Sequence, residues 1–421
     1  MILGIRERLE VMKYNKIIME EALEVIIDYR GKTPKKSESG VQTLSAKSVK
    51  NNYIDYSKCY FISKEEYNKF MVRGLPQKGD ILLTTEAPLG LVAKLDRDNV
   101  AIAQRLLTLR GKKGVLDNDY LLYYLQSPKG QYSLKARESG TTVTGIKQAE
   151  FRKIELHLPD YEIQLKIGRI LNSLNDKIEL NNKINKNLEQ QAQAVFKSWF
   201  VDFEPFGGIM PSDWSIVPLS QIASFVNGYS YKSNELISST TAMTTIKNFE
   251  RKSGFKLDGF KEILPSGKIK TEQYVELFDV LVAHTDLTQN AEIIGNAELV
   301  LSFDDYDNVV FSMDLVKVQP KIEKISKFLI FAILKDRRFK EHCLGYTNGT
   351  TVLHLSKKAL SEYKLILPKD LSILFPLDEI ITIFYKQIAS NVEENKKLKN
   401  LKDTLLPKLM SGEIDISEID I

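Results

Sequence analysis

The chain has 421 residues, of which 43% are hydrophobic and 27% are charged. This length indicates two domains with connecting elements, and the composition excludes an intrinsically disordered protein. The formal net charge of +4 is small for the length, so nucleic-acid binding is neither required nor excluded, because it depends on where the basic residues lie.

The two halves of the chain carry the same landmarks in the same order. The phrase at Ser139–Val143 returns at Asn348–Val352, and a Leu-Pro pair follows each copy, at Leu158-Pro159 and Leu367-Pro368. Both landmarks give an offset of 209 residues (349 minus 140, and 367 minus 158). The similar segments that begin at positions 79 and 278 are 199 residues apart (278 minus 79). We interpret the chain as a duplicated domain whose halves differ by loop insertions.

Each half carries short strand patterns, bounded by Gly and Pro turns, and then a helical segment. In chain order these elements are Asp80–Thr84, Arg105–Leu109 and Tyr120–Gln126, then Val280–Ala283, Leu315–Val318 and Phe328–Leu334. A long Lys- and Asn-rich helix is predicted after each Leu-Pro pair, over roughly 162–200 and 377–406, with Pro407 ending the second. We therefore predict α/β domains of the α+β kind in tandem duplicate, each followed by a long α-helix.

Both long helices carry the apolar spacing of a coiled-coil seam. Steps of four and three residues give Ile163, Ile167, Ile170, Leu174, Lys177, Asn181, Ile184, Leu188, Gln191 and Val195 in the first. The second gives Ile381, Phe384, Ile388, Asn391, Asn395, Leu398, Lys402 and Leu405. In an antiparallel coiled coil the asparagines of the two helices meet, and a buried Asn usually fixes register and orientation. The alternative is that these asparagines lie on a solvated edge.

No catalytic motif is visible in the sequence. It has no GxxxxGK[ST] phosphate loop, no glycine-rich nucleotide fingerprint, no GxSxG elbow and no HExxH. Cys59 and Cys343 lie in opposite halves without CxxC spacing, and the histidines lack zinc-ligand spacing, so we expect neither disulfides nor a metal. If the protein takes part in a reaction, we expect another chain to perform it.

We expect a cytoplasmic protein without a membrane-spanning segment. Arg6, Glu7 and Arg8 stand where a secretory signal peptide needs an apolar run. No stretch approaches the ~20 apolar residues of a membrane span.

Polar and basic side chains collect in the predicted loops, a composition suited to contacts with base edges and phosphates of DNA. The candidates in the first half are Lys32, Thr33, Lys35, Lys36, Ser45, Lys47, Thr84, Glu86, Gln104, Arg105, Thr141, Thr142 and Lys147. Those in the second half are Tyr229, Tyr231, Lys232, Lys247, Asn248, His284, Asp286, Ser312, Thr350, Thr351, His354 and Lys357. Different residues at corresponding places predict two different short target sequences. An ordinary surface side chain is the alternative for each, and the repeated Thr-Thr could equally be a turn that the fold requires.

The segments at Ser139–Pro159, Phe196–Pro205 and Leu405–Ile414 resemble those of specificity subunits of type I restriction-modification systems. The resemblance covers nearly the whole chain. It implies an N-terminal segment (1–16), target-recognition domains at 17–159 and 205–368, a helical spacer (160–204), and a distal helix with a C-terminal tail (369–421). The second half departs from the first by lacking the Gly-Lys-Thr-Pro turn, which fits a different target.

By this resemblance the chain is a non-catalytic subunit that binds no cofactor itself. Its expected partners are double-stranded DNA with a bipartite asymmetric site, two modification subunits that methylate adenine with S-adenosylmethionine, and two restriction subunits that use ATP and Mg for translocation and cleavage. The antiparallel helices would act as a ruler, since about 38 residues span ~57 Å, more than one ~34 Å turn of DNA.

Partner docking is expected along the helix seam and at Trp199 and Phe200, with core packing as the alternative for these two aromatics. Two other functions stay open at this point. One is the recognition part of a self-contained restriction or methyltransferase enzyme, and the other is a coiled-coil adaptor that binds only proteins.

Overall fold

The computed structural model describes residues 14–140, 144–251, 254–288 and 290–419. The predicted contact residues Thr141 and Thr142 lie outside the described residues. The chain divides into two compact units, which are described separately. The first unit holds the chain up to Ile178 and again from Leu398 onward, and the second unit is Glu179–Lys397. Every helix in the described ranges is too short or too polar to cross a lipid bilayer.

The first unit is a mixed α/β domain completed by parts of two long helices. Its elements in chain order are β1 (Asn15–Ile18), α1 (Met19–Ala22), β2 (Leu23–Asp28), β3 (Lys36–Ser37), β4 (Val41–Leu44), β5 (Val49–Lys50), β6 (Tyr53–Ile54), β7 (Tyr60–Ile62), α2 (Lys64–Phe70), β8 (Ile81–Thr84), β9 (Val92–Lys94), β10 (Ala101–Ile102), β11 (Leu106–Gly111), α3 (Asn118–Gln126), α4 (Pro128–Lys135), α5 (Gln148–Arg152), β12 (Glu155–Leu158) and the first part of α6 (Tyr161–Phe200).

The main sheet of this unit has four antiparallel strands in the order β2-β11-β8-β9. All four residues of β8 are buried, because side chains alternate between two covered faces. Ile81 and Leu83 join a core with Tyr120 of α3, whereas Leu82 joins a core with Ile62 of the second sheet. That second sheet has the order β10-β4-β7-β3.

The second unit repeats this plan. Its elements are the second part of α6, then β13 (Trp214–Pro218), β14 (Ala223–Asn227), β15 (Thr241–Thr244), β16 (Lys261–Glu262), β17 (Val280–Ala283), β18 (Thr285–Asp286), β19 (Ala297–Leu299), β20 (Asn308–Phe311), β21 (Leu315–Pro320), α7 (Lys327–Lys335), α8 (Arg337–Gly345), β22 (Thr347–Asn348), β23 (Leu353–Leu355), α9 (Lys358–Glu362), β24 (Lys364–Pro368) and the first part of α10 (Phe375–Ser411). The main sheet β14-β21-β17-β19 has the connectivity of β2-β11-β8-β9, and β15 pairs with β20 in parallel as β4 pairs with β10. The predicted tandem duplication of a mixed α/β domain is confirmed.

The predicted short strands and helices are found in the structure with small shifts at their ends, and capping explains where the two short helices begin. The strand predicted at Val280–Ala283 is observed at those residues. The two short helices begin slightly earlier than predicted because Asp117 and Ser326 cap them, each side chain accepting hydrogen bonds from two backbone N–H groups of the first turn.

A buried aspartate directly precedes β8 in the first unit and β17 in the second. It explains why the segments that begin at positions 79 and 278 are similar. Asp80 accepts two hydrogen bonds from Arg110, at 2.7 and 2.9 Å. Asp279 pairs with Lys317 at 3.0 Å and with Lys327 at 2.6 Å. The side chains of both aspartates are at most 1% exposed, so the Asp must keep its cationic partner in each domain.

The end of α10 corrects one prediction, because Pro407 lies inside this helix rather than ending it. A proline removes one backbone N–H, which disfavours but does not forbid helix continuation. Here Leu406, Leu409 and Met410 around it are buried in the core of the first unit, which they share with Ile167 of α6. Packing of this last turn therefore outweighs the lost hydrogen bond.

In the second unit, asparagines of α6 and α10 are hydrogen-bonded to each other; Asn181 and Asn391 are buried, whereas Asn185 and Asn395 are half-buried. Asn181 donates to Asn395 at 2.9 Å and to Glu394 at 2.8 Å, and Asn391 donates to Asn185 at 2.7 Å. Asn181 is 1% exposed and Asn391 is 6% exposed. The two helices thus contact each other through polar as well as apolar side chains.

The predicted apolar stripe of α6 is only partly the buried one. Ile184 is 38% exposed, and Asn185 faces α10 in its place. Farther along, Ala192 is buried where the stripe predicted Gln191. An α-helix has 3.6 residues per turn, so a strict 3.5-residue step drifts away from the buried face along a long helix.

Candidate nucleic-acid interface

One end of the main sheet of the first unit collects several predicted contact residues. Leu107 lies opposite Asp28, and Leu106 lies opposite Thr84. β2 and β8 end at the same end of the sheet at which the antiparallel strand β11 begins. The loops after β2 and β8 and the loop before β11 therefore meet there. We call this end of the sheet the loop edge of the first unit.

The loop edge of the first unit carries an exposed ion pair. Arg105 Nε lies 2.7 Å from the Glu86 carboxylate, with the side chains 50% and 26% exposed. Arg105 has a φ of 73°, a left-handed conformation uncommon for residues other than glycine and typical of constrained sites. Gln104, which precedes it, is half-buried. The edge thus presents both an acid and a base to solvent.

The segment after the repeated phrase folds onto this edge. Ile146 N donates to the carbonyl of Thr85 at 3.0 Å, and the backbone of Glu86 forms an isolated antiparallel β-bridge with Gly145. The guanidinium of Arg30 donates to the carbonyl of Ile146 at 2.8 Å. Arg30 was missed from the sequence, although it directly precedes the basic turn that was singled out.

The second unit has a loop edge of the same design, where Val316 lies opposite Asn227 and Leu315 lies opposite Ala283. Here too the segment after the repeated phrase contacts the end of the sheet, because Leu355 N donates to the carbonyl of His284 at 2.9 Å. The loop-edge geometry is therefore part of the shared scaffold.

The side chains at this second loop edge differ from those of the first. Thr285 donates its hydroxyl to Asp314 Oδ1 at 3.0 Å, and Thr285 pairs in the backbone with His354. Burial lowers the pKa of His284, and the nearby His354 and Lys357 lower it further. His354 and Lys357 are exposed, so their positive or polar groups are free to face an anionic partner.

The two units also share a turn of the same kind, which follows β4 in the first unit and β15 in the second. Ser45 N donates to Ser48 Oγ at 2.9 Å, and Thr245 N donates to Asn248 Oδ1 at 3.0 Å. Both turns leave a lysine exposed, Lys47 in the first unit and its counterpart Lys247 in the second. Asn248 and Ser48 therefore shape the turn, while the lysine between is available for contact.

Five predicted contact residues lie inside the fold instead of on its surface. They are Thr84, Tyr229, Asn248, Asp286 and Ser312. Thr84 accepts from Leu91 N, Tyr229 donates to Glu235, and Asp286 accepts from the N–H groups of Thr288, Ile293 and Ile294. Their polar atoms have protein partners, so in this structure they hold loops in place from beneath rather than face solvent.

The remaining candidates lie on loops or, for Lys36, at the start of the short strand β3. Exposed are Lys32, Thr33, Lys35, Lys36, Lys147, Lys232, Thr350 and Thr351, while Ser45 and Tyr231 are half-buried. The glycine of the repeated phrase has a positive φ in both copies, 118° at Gly140 and 114° at Gly349. A Cβ at Gly349 would lie 2.2 Å from the carbonyl oxygen of Val352, so the phrase recurs at least partly because the turn requires glycine.

The aromatic pair at the end of α6 packs within the second unit. Phe200 is 4% exposed and stacks on Phe196 at 4.8 Å between ring centroids. Trp199 is half-buried and meets the ring of Phe206 edge-on. Core packing therefore accounts for Phe200, and Trp199 retains a solvent-facing part.

Among residues 14–140, 144–251, 254–288 and 290–419, no three or more His, Cys, Asp or Glu residues are placed to hold a metal ion. Cys59 and Cys343 are both free thiols.

Known proteins share this organisation. The model of the type I restriction modification DNA specificity domain matches residues 23–190 and 211–400. The specificity subunit of the type I restriction enzyme MjaIX from Methanocaldococcus jannaschii is 25% identical over 360 residues, covering 81% of this chain and 79% of that protein. The HindI specificity subunit of Haemophilus influenzae is 24% identical over 401 residues, covering 80% and 87%.

A solved structure shares the fold. The S subunit of a type I restriction-modification system from M. genitalium gives a TM-score of 0.59 at 15% identity, over 96% of this chain and 98% of that one. The family model covers well over half of the present sequence, once in each half. The chain therefore belongs to the family of type I restriction-modification specificity subunits.

Proposed function

We propose that this chain is the non-catalytic DNA-specificity subunit of a type I restriction-modification complex. Each domain binds one half of a bipartite asymmetric site in double-stranded DNA. The observation that carries the proposal is the pair of loop edges, which share backbone geometry but carry different polar side chains. A common scaffold with different side chains at the contact points is what recognition of two different sequences requires.

The residues at the two loop edges are of types that form hydrogen bonds with the edges of bases. Arginine makes bidentate contacts with guanine, whereas carboxylates accept from the amino group of cytosine. Lys47 and Lys247, exposed in the same turn of each domain, suit phosphate contacts that set orientation without reading sequence. The small net charge of +4 fits a complex in which partner subunits supply part of the phosphate affinity.

The long helices provide the second part of the proposed function. α6 and α10 pair as an antiparallel coiled coil, fix the distance between the two half-sites and bind two modification subunits. The buried hydrogen bonds of Asn181 and Asn391 support this role, since a polar pair in a helical seam favours one register over its neighbours. S-adenosylmethionine would be held by the modification subunits, and ATP and Mg by two restriction subunits.

Methylation mapping tests the proposal directly. Genomic DNA from cells that express this chain with the modification subunit of its operon is sequenced for modified adenine, beside cells that lack only this chain. We expect a two-part motif that disappears in the control. Identical methylation in both samples, with expression and assembly verified, would contradict the specificity function and favour the protein adaptor.

A further inference from the structure

One backbone hydrogen bond identifies the residue of the second unit that takes the place of Arg105. The carbonyl of Arg105 accepts from Thr85 N at 3.0 Å, and the carbonyl of Asp314 accepts from His284 N at 2.8 Å. Each acceptor directly precedes its strand, β11 or β21, and each donor directly follows β8 or β17. Asp314 is therefore the structural counterpart of Arg105.

The side chains at these two positions are held in the same way but carry opposite charge. Arg105 pairs with Glu86, which lies one residue beyond Thr85, at 2.7 Å. Asp314 accepts from Thr285, which lies one residue beyond His284, at 3.0 Å. The first loop edge thus presents a guanidinium held by a carboxylate. The second presents a carboxylate held by the hydroxyl of Thr285 and, at the longer distance of 3.4 Å, by that of Ser312.

The Asp314 carboxylate lies close to basic side chains. His354 and Lys357 are close enough to His284 to lower its pKa, and Asp314 acts on the same histidine in the opposite direction. A carboxylate among groups that suit phosphate contacts repels the phosphates of DNA, and a hydrogen bond accepted from a base would offset this cost. The base groups that donate in the major groove are the amino groups of cytosine and adenine.

Building on the proposed function, we infer that Asp314 is a specificity-determining residue of the second domain. Its carboxylate accepts from the amino group of one cytosine or adenine in the second half-site. Thr285 is a positioning residue, because its hydroxyl holds the Oδ1 atom of Asp314. Arg105 and Glu86 form the corresponding pair of the first domain, where the donor is on the protein and the acceptor is on the base.

The test is Asp314→Asn in the full chain, assembled with the modification subunit of its operon and given a library of randomised duplex DNA. An asparagine keeps the shape and the acceptor for Thr285. It replaces the other carboxylate oxygen, to which Ser312 donates at 3.4 Å, by an amide donor. Sequencing of the methylated products gives the preference at every position. We expect discrimination at one base pair of the second half-site to fall about 5- to 150-fold, with the first half-site unchanged.

A matched control is Asp213→Asn, which removes an exposed carboxylate of the same unit in the loop before β13; it should leave both half-sites as in the wild type. Asp314→Glu keeps the charge but displaces the carboxylate, and should weaken preference at the same base pair. The inference is overturned if Asp314→Asn keeps the wild-type motif or lowers methylation equally at all sequences. A wild-type complex that selects no bipartite motif would instead overturn the proposed function itself.

Discussion

Replacing Arg110 by methionine tests whether the buried ion pair holds the first unit together. The Asp80 side chain is 1% exposed and accepts from Arg110 Nε at 2.7 Å, from Arg110 Nη2 at 2.9 Å and from Gln77 N at 2.8 Å. Methionine keeps much of the aliphatic stem but removes both guanidinium donors. A buried carboxylate would then be left with a single backbone donor.

The expected loss of stability follows from burial. Removing one partner of a buried ion pair costs about 3–5 kcal/mol, because the other charge stays uncompensated. The Arg110 side chain is 20% exposed, so water reaches the site in the variant and the lower figure, about 3 kcal/mol, is appropriate. At about 2–4 °C per kcal/mol for a unit of this size, the melting temperature of the first unit should fall by about 6–12 °C.

Calorimetry of the full chain measures this, since only the transition of the first unit should move. The control is Lys69→Met, which breaks the Lys69–Glu65 pair, whose side chains are 69% and 78% exposed. An exposed pair four residues apart on a helix contributes only about 0.3–0.5 kcal/mol, so its shift should stay below about 2 °C. Equal shifts in the two variants would refute the argument from burial.

Three further predictions address the site, the helices and pH. Arg105→Ala should change the unfolding free energy by less than about 1 kcal/mol yet reduce discrimination at one base pair by about 1–3 kcal/mol in selection from randomised DNA; an equal loss at every sequence would make it a phosphate contact. Asn181→Ala leaves Asn395 without its donor and should speed amide exchange there about 5- to 150-fold, the equivalent of about 1–3 kcal/mol; unchanged exchange would contradict a role in helix pairing. Hydrogen bonds led by that of Ser266 lower the pKa of Glu235 from 4.5 to about 2, so its stabilisation is present above pH 4.5 and is lost as the pH falls toward 2. Urea unfolding at pH 6 and pH 3 should therefore show a smaller loss of stability for Glu235→Gln than for the wild type, and equal losses would count against it.

The duplicated plan was readable from the sequence because its landmarks are imposed by backbone and charge. The glycines of the repeated phrase take a conformation that other residues avoid. The aspartates at positions 80 and 279 are buried against a cation. Such requirements survive divergence of the surrounding loops, so a constant offset between similar phrases was enough to predict the repeat and the elements near it.

The contact residues were harder to predict, because polarity in a loop does not say which way a side chain points. Asp286 and Asn248 were chosen for their polar side chains, yet both bind backbone groups inside the domain. Asp314 was passed over, although applying the 209-residue offset to Arg105 would have found it. Its importance follows from a pairing with Thr285 that only the folded sheet creates.

The sequence by itself determined the number of domains, their shared elements and the asparagines of the long helices, since these depend on local periodicity and on repeated phrases. Only the tertiary structure decided which polar side chains reach solvent and which of them pair with one another at the two loop edges. The physical reason is that strand register sets which loops meet at the end of a sheet, and burial then selects the side chains that remain exposed there.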